Sequence, residues 1–86
     1  MNKVALVVGG GQTLGAFLCE GLAKEGYDVV VADLNQESAV GTAKDIEGKY
    51  KVSTLGVKVD AANEDDVNKM MDAIKEKFGR VDLLVY

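Results

Sequence analysis

Eighty-six residues with 14 acidic and 10 basic side chains, a formal charge of −4, suit one small domain. The lysines and arginines are scattered, with no clustered basic face to displace counterions from phosphates, which sets nucleic-acid binding aside. One cysteine and no histidine exclude a disulfide framework and a Cys/His zinc site within the chain, and no run of about 20 apolar residues could span a membrane.

The first strand is expected over Lys3 to Val8. Its continuous run Val4-Ala5-Leu6-Val7-Val8 suits a parallel strand covered on both faces. It meets glycines at once and has no small-residue cleavage site, so it reads as a strand and not as a signal peptide. After Gly9, Gly10 and Gly11 a helix starts near Thr13 or Leu14. Leu14, Leu18 and Leu22, flanked by Phe17 and Gly21, form its expected buried stripe, and Gly26 ends it. Cys19 lies in this helix beside apolar positions and reads as a buried, inert thiol. A single free thiol also fits a reducing cytoplasm.

The second strand is Asp28 to Asp33, rich in β-branched residues. Asn35 is the expected N-cap of the second helix, whose inward face is Ala39, Val40, Ala43 and Ile46, with Gly48 just past its end. In the third strand, Val52 to Val59, apolar and polar positions alternate, as at a sheet edge. The third helix has Asn63 as cap and Asp66 three residues later in a box-like arrangement. Acidic residues 64–66 open it, and Lys75 and Lys77 close it, as the helix dipole favours. Val67, Met70, Met71, Ile74 and Phe78 form its apolar stripe, and Gly79 stops it. The fourth strand, Val81 to Tyr86, is apolar on both faces. Nothing follows to cover its free edge, so a truncated sequence is expected.

The order β-α-β-α-β-α-β predicts an α/β fold, the first portion of a Rossmann-type doubly wound parallel sheet with helices on its faces and strand order 3-2-1-4. The segment Gly9 to Gly15 joins the first strand to the first helix. A loop that brings backbone N–H groups close to a pyrophosphate needs glycine, and the helix N-terminus adds N–H groups and positive partial charge. Gly15 in the first turn lets the helix pack close to the strand. The competing reading is a plain flexible turn. The loop satisfies neither G-x-G-x-x-G nor the P-loop pattern.

Asp33 ends the second strand, 18 residues past Gly15. A carboxylate there can accept from both hydroxyls of an adenosine ribose and would repel a 2′-phosphate, while Leu34 offers no positive charge. These features favour NAD over NADP. The alternative is an ordinary acid before a helix. Asp60 and Ala61, after the third strand, could receive the adenine, or could simply form a turn leading to Asn63. Asp82 lies at the opposite end of its strand and reads as structural. No triad, carboxylate dyad or activated nucleophile is present, and histidine, the commonest acid–base group, is missing.

At these residues the sequence resembles the short-chain dehydrogenase/reductase family. The matches are Gly9 and Gly15 in the glycine loop, Asp33, Asp60-Ala61, and Gly79-Arg80-Val81-Asp82-Leu83-Leu84-Val85. The departures are Val8 for the family's threonine, Thr13 for its middle glycine, and Tyr86 for an asparagine. The resemblance implies cofactor binding by Gly9, Gly11, Gln12, Thr13, Leu14, Gly15, Asp33, Asp60 and Ala61, with NAD as the cofactor. The strings GGGQTLGAFLCEGLAKEGYDV and FGRVDLLVY resemble members acting on phosphorylated sugar alcohols, which implies a sugar-phosphate substrate. It further implies a homo-oligomer, commonly a tetramer, and catalytic Ser and Tyr-x-x-x-Lys residues beyond Tyr86. Tyr27, Tyr50 and Tyr86 are not followed four residues later by lysine. Residues 1–86 are therefore read as a cofactor-binding portion without catalytic residues. A non-catalytic nucleotide-binding or scaffold module is the alternative, as is a dehydrogenase for another sugar or polyol. An epimerase-type relative expects glycine where Gln12 stands.

Overall fold

The computed structural model describes residues 2–11 and 13–85; Met1, Gln12 and Tyr86 lie outside the described residues. Its elements are β1 (Val4–Val8), α1 (Thr13–Lys24), β2 (Asp28–Asp33), α2 (Gln36–Tyr50), β3 (Thr54–Lys58), α3 (Glu64–Lys77) and β4 (Leu83–Val85). The four strands form one parallel sheet in the order β3-β2-β1-β4. Right-handed crossovers explain the layering. Stepping from β1 through β2 to β3 places α1 and α2 on one face, and reversing direction to β4 places α3 on the other.

The strands sort their side chains by alternation. Val7, Val29 and Val31 pack with Cys19, Ala23, Ala39, Ala43 and Ile46 on the α1/α2 face. Val4, Leu6, Val30 and Ala32 pack with Val59, Met70 and Ile74 on the α3 face. β2 is buried on both faces, as its unbroken apolar run requires, and β3 stands at the sheet edge, as its alternation indicated. Both outer strands are shorter than expected: β3 starts at Thr54 and ends at Lys58, and β4 starts at Leu83. Leu83 and Leu84 of β4 remain exposed, on a strand paired with β1.

The expected stripe of α1 is corrected in its first half, while Leu22 packs against the core as expected. Leu14 and Phe17 are 75% and 76% exposed, and Leu18 is exposed too, while Cys19 and Ala23 are buried. The sheet-facing series is Gly15, Cys19 and Ala23, which has the i, i+4, i+8 spacing of the leucines displaced by one residue. Small side chains win because α1 lies very close to the strand-to-helix loop. A Cβ on Gly15 would stand 2.1 Å from the Gly9 carbonyl oxygen. That contact fixes the rotation of the helix and turns Leu14 and Leu18 outward.

α2 also differs at its end. Gly48 lies within the helix, which runs to Tyr50, and Lys51 takes the left-handed conformation at φ 55°. Ala39, Ala43 and Ile46 face inward as expected, and Val40 is half-buried. Both asparagine caps form: Asn35 Oδ1 accepts from Ser38 N at 3.0 Å, and Asn63 Oδ1 accepts from Asp66 N at 3.1 Å. The box at Asn63 is not reciprocal. Asp66 Oδ2 accepts from the Asp60 amide at 3.1 Å, which ties the turn after β3 to α3. In α3, Met70 and Ile74 are buried and Met71 is exposed.

Asp82 is structural. Its Oδ2 accepts from Val4 N at 2.8 Å, its own N–H donates to the Val4 carbonyl, and Oδ1 pairs with Arg80. The Arg80 guanidinium, with the Val4 amide, holds the Asp82 carboxyl below its usual value.

Candidate functional site

In a sheet of order 3-2-1-4 the chain reverses direction between β1 and β4, and the carboxyl ends of the strands open a crevice beside that point. Here the crevice has a volume of about 510 Å³, bounded by Val8, Gly9, Asp33, Leu34, Val59 and Asp60, with Asn35, Ala61 and Ala62 completing it. It gathers the ends of β1, β2 and β3, the three places where the sequence suggested nucleotide contacts.

The glycine loop is tied to the end of β2. Gly9 takes φ 85°, a conformation that favours glycine. Gly9 N and Gly10 N donate to the Ala32 carbonyl at 2.7 and 3.2 Å, and Gly11 N donates to Asp33 Oδ2 at 3.1 Å. These three amides therefore serve the loop's own shape. The N–H groups that an α-helix leaves without intrahelical carbonyls begin at Thr13, at the start of α1. An anion is thus best met at the helix start, with the glycines supplying clearance. Thr13 and Leu14 are exposed there, and Gly15 seats the helix on Gly9. Gln12 falls outside the described residues.

Asp33 is buried, 5% exposed, yet forms part of the crevice wall. Besides Gly11, it accepts from Asn35 N through Oδ1 at 3.0 Å. Asp60 accepts from Ala62 N at 3.0 Å through Oδ1, and its carbonyl accepts from Asn63 N. It closes the turn toward α3 and lines the crevice at once, so the two readings of this residue are not exclusive. Sequence reasoning did not list Val8, Asn35, Val59 or Ala62 among the site residues. Their positions beside Gly9, Asp33 and Asp60 were the available signal.

Cys19 lies under the loop. Its thiol is directed at the Gly10 carbonyl at 4.0 Å, and burial pushes its pKa from 9.0 up to about 12. The folded protein therefore binds more protons than the unfolded chain between these values, and the stability this group contributes is lost as pH rises from 9 toward 12. A thiol-reactive dye at pH 8 should label Cys19 only as fast as the protein opens. Immediate stoichiometric labelling of the native protein would contradict the buried placement.

Among the described residues, no group of three or more Cys, Asp or Glu could hold a metal ion, and no helix is long and apolar enough to cross a membrane.

Comparison with known proteins fits this geometry. The profile described as short chain dehydrogenase matches residues 3–86. Sorbitol-6-phosphate 2-dehydrogenase of Escherichia coli is 52% identical over the whole chain, which covers 34% of that enzyme. The solved structure of sorbitol-6-phosphate 2-dehydrogenase from Erwinia amylovora superposes with a TM-score of 0.92 at 55% identity, over 95% of this chain and 32% of the other. L-sorbose reductase from Gluconobacter frateurii, solved with NADPH and L-sorbose, gives a TM-score of 0.91 at 30% identity, over 96% and 32% of the two chains. The chain thus spans about a third of the length of these relatives. A glycine-cushioned helix start, a buried carboxylate at the next strand end and a profile match over almost every residue agree: the chain belongs to the short-chain dehydrogenase family.

Proposed function

We propose that this chain is the nucleotide-binding portion of an NAD-dependent oxidoreductase that converts D-sorbitol 6-phosphate to D-fructose 6-phosphate. The observation that carries the cofactor reading is Asp33, a buried carboxylate in the crevice wall beside the glycine loop, followed by the exposed apolar Leu34. A dinucleotide fits the residues present. Gly15 leaves the clearance that a Cβ would fill, the start of α1 offers N–H groups to a diphosphate, and Val8, Val59 and Ala61 give the crevice apolar surface beside Asp60. The nicotinamide, when bound, supplies the hydride acceptor. This chain's residues would hold the diphosphate at Thr13 to Gly15, the adenosine ribose at Asp33 and the adenine at Asp60 and Ala61.

The substrate reading draws on the 52% identity to the Escherichia coli enzyme. The choice of NAD rests on Asp33, because a relative at 30% identity was solved with NADPH and the fold alone does not choose. The acid–base residues belong to sequence beyond Tyr86, and the working enzyme is a homo-oligomer of the cytoplasm, a setting consistent with the free thiol of Cys19.

In the full-length protein, Asp33→Ala should weaken NAD roughly 10- to 100-fold, the worth of hydrogen bonds to a charged acceptor, and weaken NADP less, because repulsion of the 2′-phosphate is relieved. Equilibrium titration of both cofactors tests this, and equal losses would remove the ribose role. Turnover with sorbitol 6-phosphate but not with unphosphorylated sorbitol tests the substrate. The reverse preference would favour a polyol dehydrogenase instead.

A further inference from the structure

We propose that Asp33 is also a positioning residue for the diphosphate: its carboxylate latches the glycine loop before any nucleotide arrives, so that loop order and ribose recognition depend on one side chain. The choice of ligand rests on the dinucleotide reading above. The latch itself rests on geometry.

Three consecutive glycines lose more conformational freedom on ordering than any other tripeptide, so a loop built from them needs ties. Two of its ties, from Gly9 and Gly10, go to one backbone carbonyl, that of Ala32. The third goes from Gly11 to Asp33 Oδ2, a tie to a charged side chain. A charged acceptor makes it stronger than a neutral one would. The other oxygen, Oδ1, accepts from Asn35 N, so the same carboxylate is anchored to the residue that caps α2. Close packing reinforces the link. A Cβ on Gly11 would stand 2.8 Å from Ser38 Cβ and 3.0 Å from Ala39 N, so the loop rests directly on the first turn of α2. The carboxylate is buried, and water does not readily replace it. Gly11 leads into the start of α1, where a diphosphate would be met. Releasing Gly11 therefore frees the loop that leads into those N–H groups.

Hydrogen exchange and ligand binding on the full-length protein test the latch together. In the ligand-free wild type, the Gly11 amide should exchange at least about tenfold more slowly than an unprotected glycine amide. Asp33→Ala should return it to the unprotected rate while the Val30 amide in β2 stays protected. The same variant should lose about tenfold more affinity for ADP than for adenosine, because the diphosphate's share falls along with the ribose's. A wild-type Gly11 amide exchanging freely would overturn the proposal even if the variant failed to fold. Equal losses for ADP and adenosine would reduce Asp33 to a ribose contact alone. Should the wild type bind neither ligand, the dinucleotide reading falls, while the exchange measurement still decides the latch.

Discussion

Gly15→Ala is expected to destabilise the fold by about 3 kcal/mol, the upper end of the cost of overpacking. The added Cβ would lie 2.1 Å from the Gly9 oxygen and 2.8 Å from Gly10 Cα. Both neighbours are backbone, so no rotamer change relieves the clash. Either α1 withdraws from β1 and uncovers Cys19 and Ala23, or the loop shifts and gives up the bonds of Gly9 and Gly10 to Ala32. With a urea slope near 1 kcal/mol per M for a chain this small, the unfolding midpoint should fall by about 3 M. Nucleotide affinity should fall as well, since the loop and the helix start move together. Gly21 in the same helix is the control. A Cβ there meets nothing within 4 Å, so Gly21→Ala should stabilise by about 0.5–1 kcal/mol through helix propensity. Similar midpoints for the two variants would mean that α1 does not rest on the loop.

Ile74→Ala should cost about 2–5 kcal/mol, a large share of the roughly 5–15 kcal/mol that holds a typical domain together. Ile74 is 1% exposed and packs in the cluster with Val4, Leu6, Val30, Ala32, Val59 and Met70. Among the described residues α3 is the helix that packs on this face of the sheet, so its Ile74 carries much of the contact there. Met71, the next apolar residue of the expected stripe, is 41% exposed, and Met71→Ala should cost less than about 1 kcal/mol. Paired urea titrations check both values. A small effect at Ile74 would place the core on the other face.

The element order and the sheet topology were legible because each element carries its own punctuation. α1 was closed by Gly26, α2 opened by Asn35, and α3 bounded by Asn63 and Gly79, and these residues stand beside the ends of those helices in the structure. The alternation in residues 52–59 marked the edge strand, because one face of an edge strand is less deeply covered. The rotation of α1 was misread because its apolar residues form two series with the same spacing. Size favoured the leucines, whereas a helix seated against backbone selects Gly15, Cys19 and Ala23. That phase was nonetheless implied once Gly15 was assigned to close packing, since residues one and two turns later must face the same way. Gly48 misled for a related reason: glycine at a helix end is common but not required, and Lys51 supplied the left-handed residue. At the crevice, the strand ends gave the places of Asp33 and Asp60. What no pattern in the sequence could indicate was that Asp33 spends its oxygens on Gly11 and Asn35, because those bonds exist only after loop and helix converge.

The bond between Val4 and Asp82 joins residues 78 positions apart, and β4 pairs with β1 although β2 and β3 are made between them. At roughly 5–20 residues per second, β1 would wait about 4–16 s on the ribosome for β4. Throughout that interval one flank of β1 is open to any passing strand. Newly made chain is therefore open to intermolecular pairing until synthesis passes residue 85, and slowing elongation over 60–80 should raise the aggregated fraction more than slowing it later.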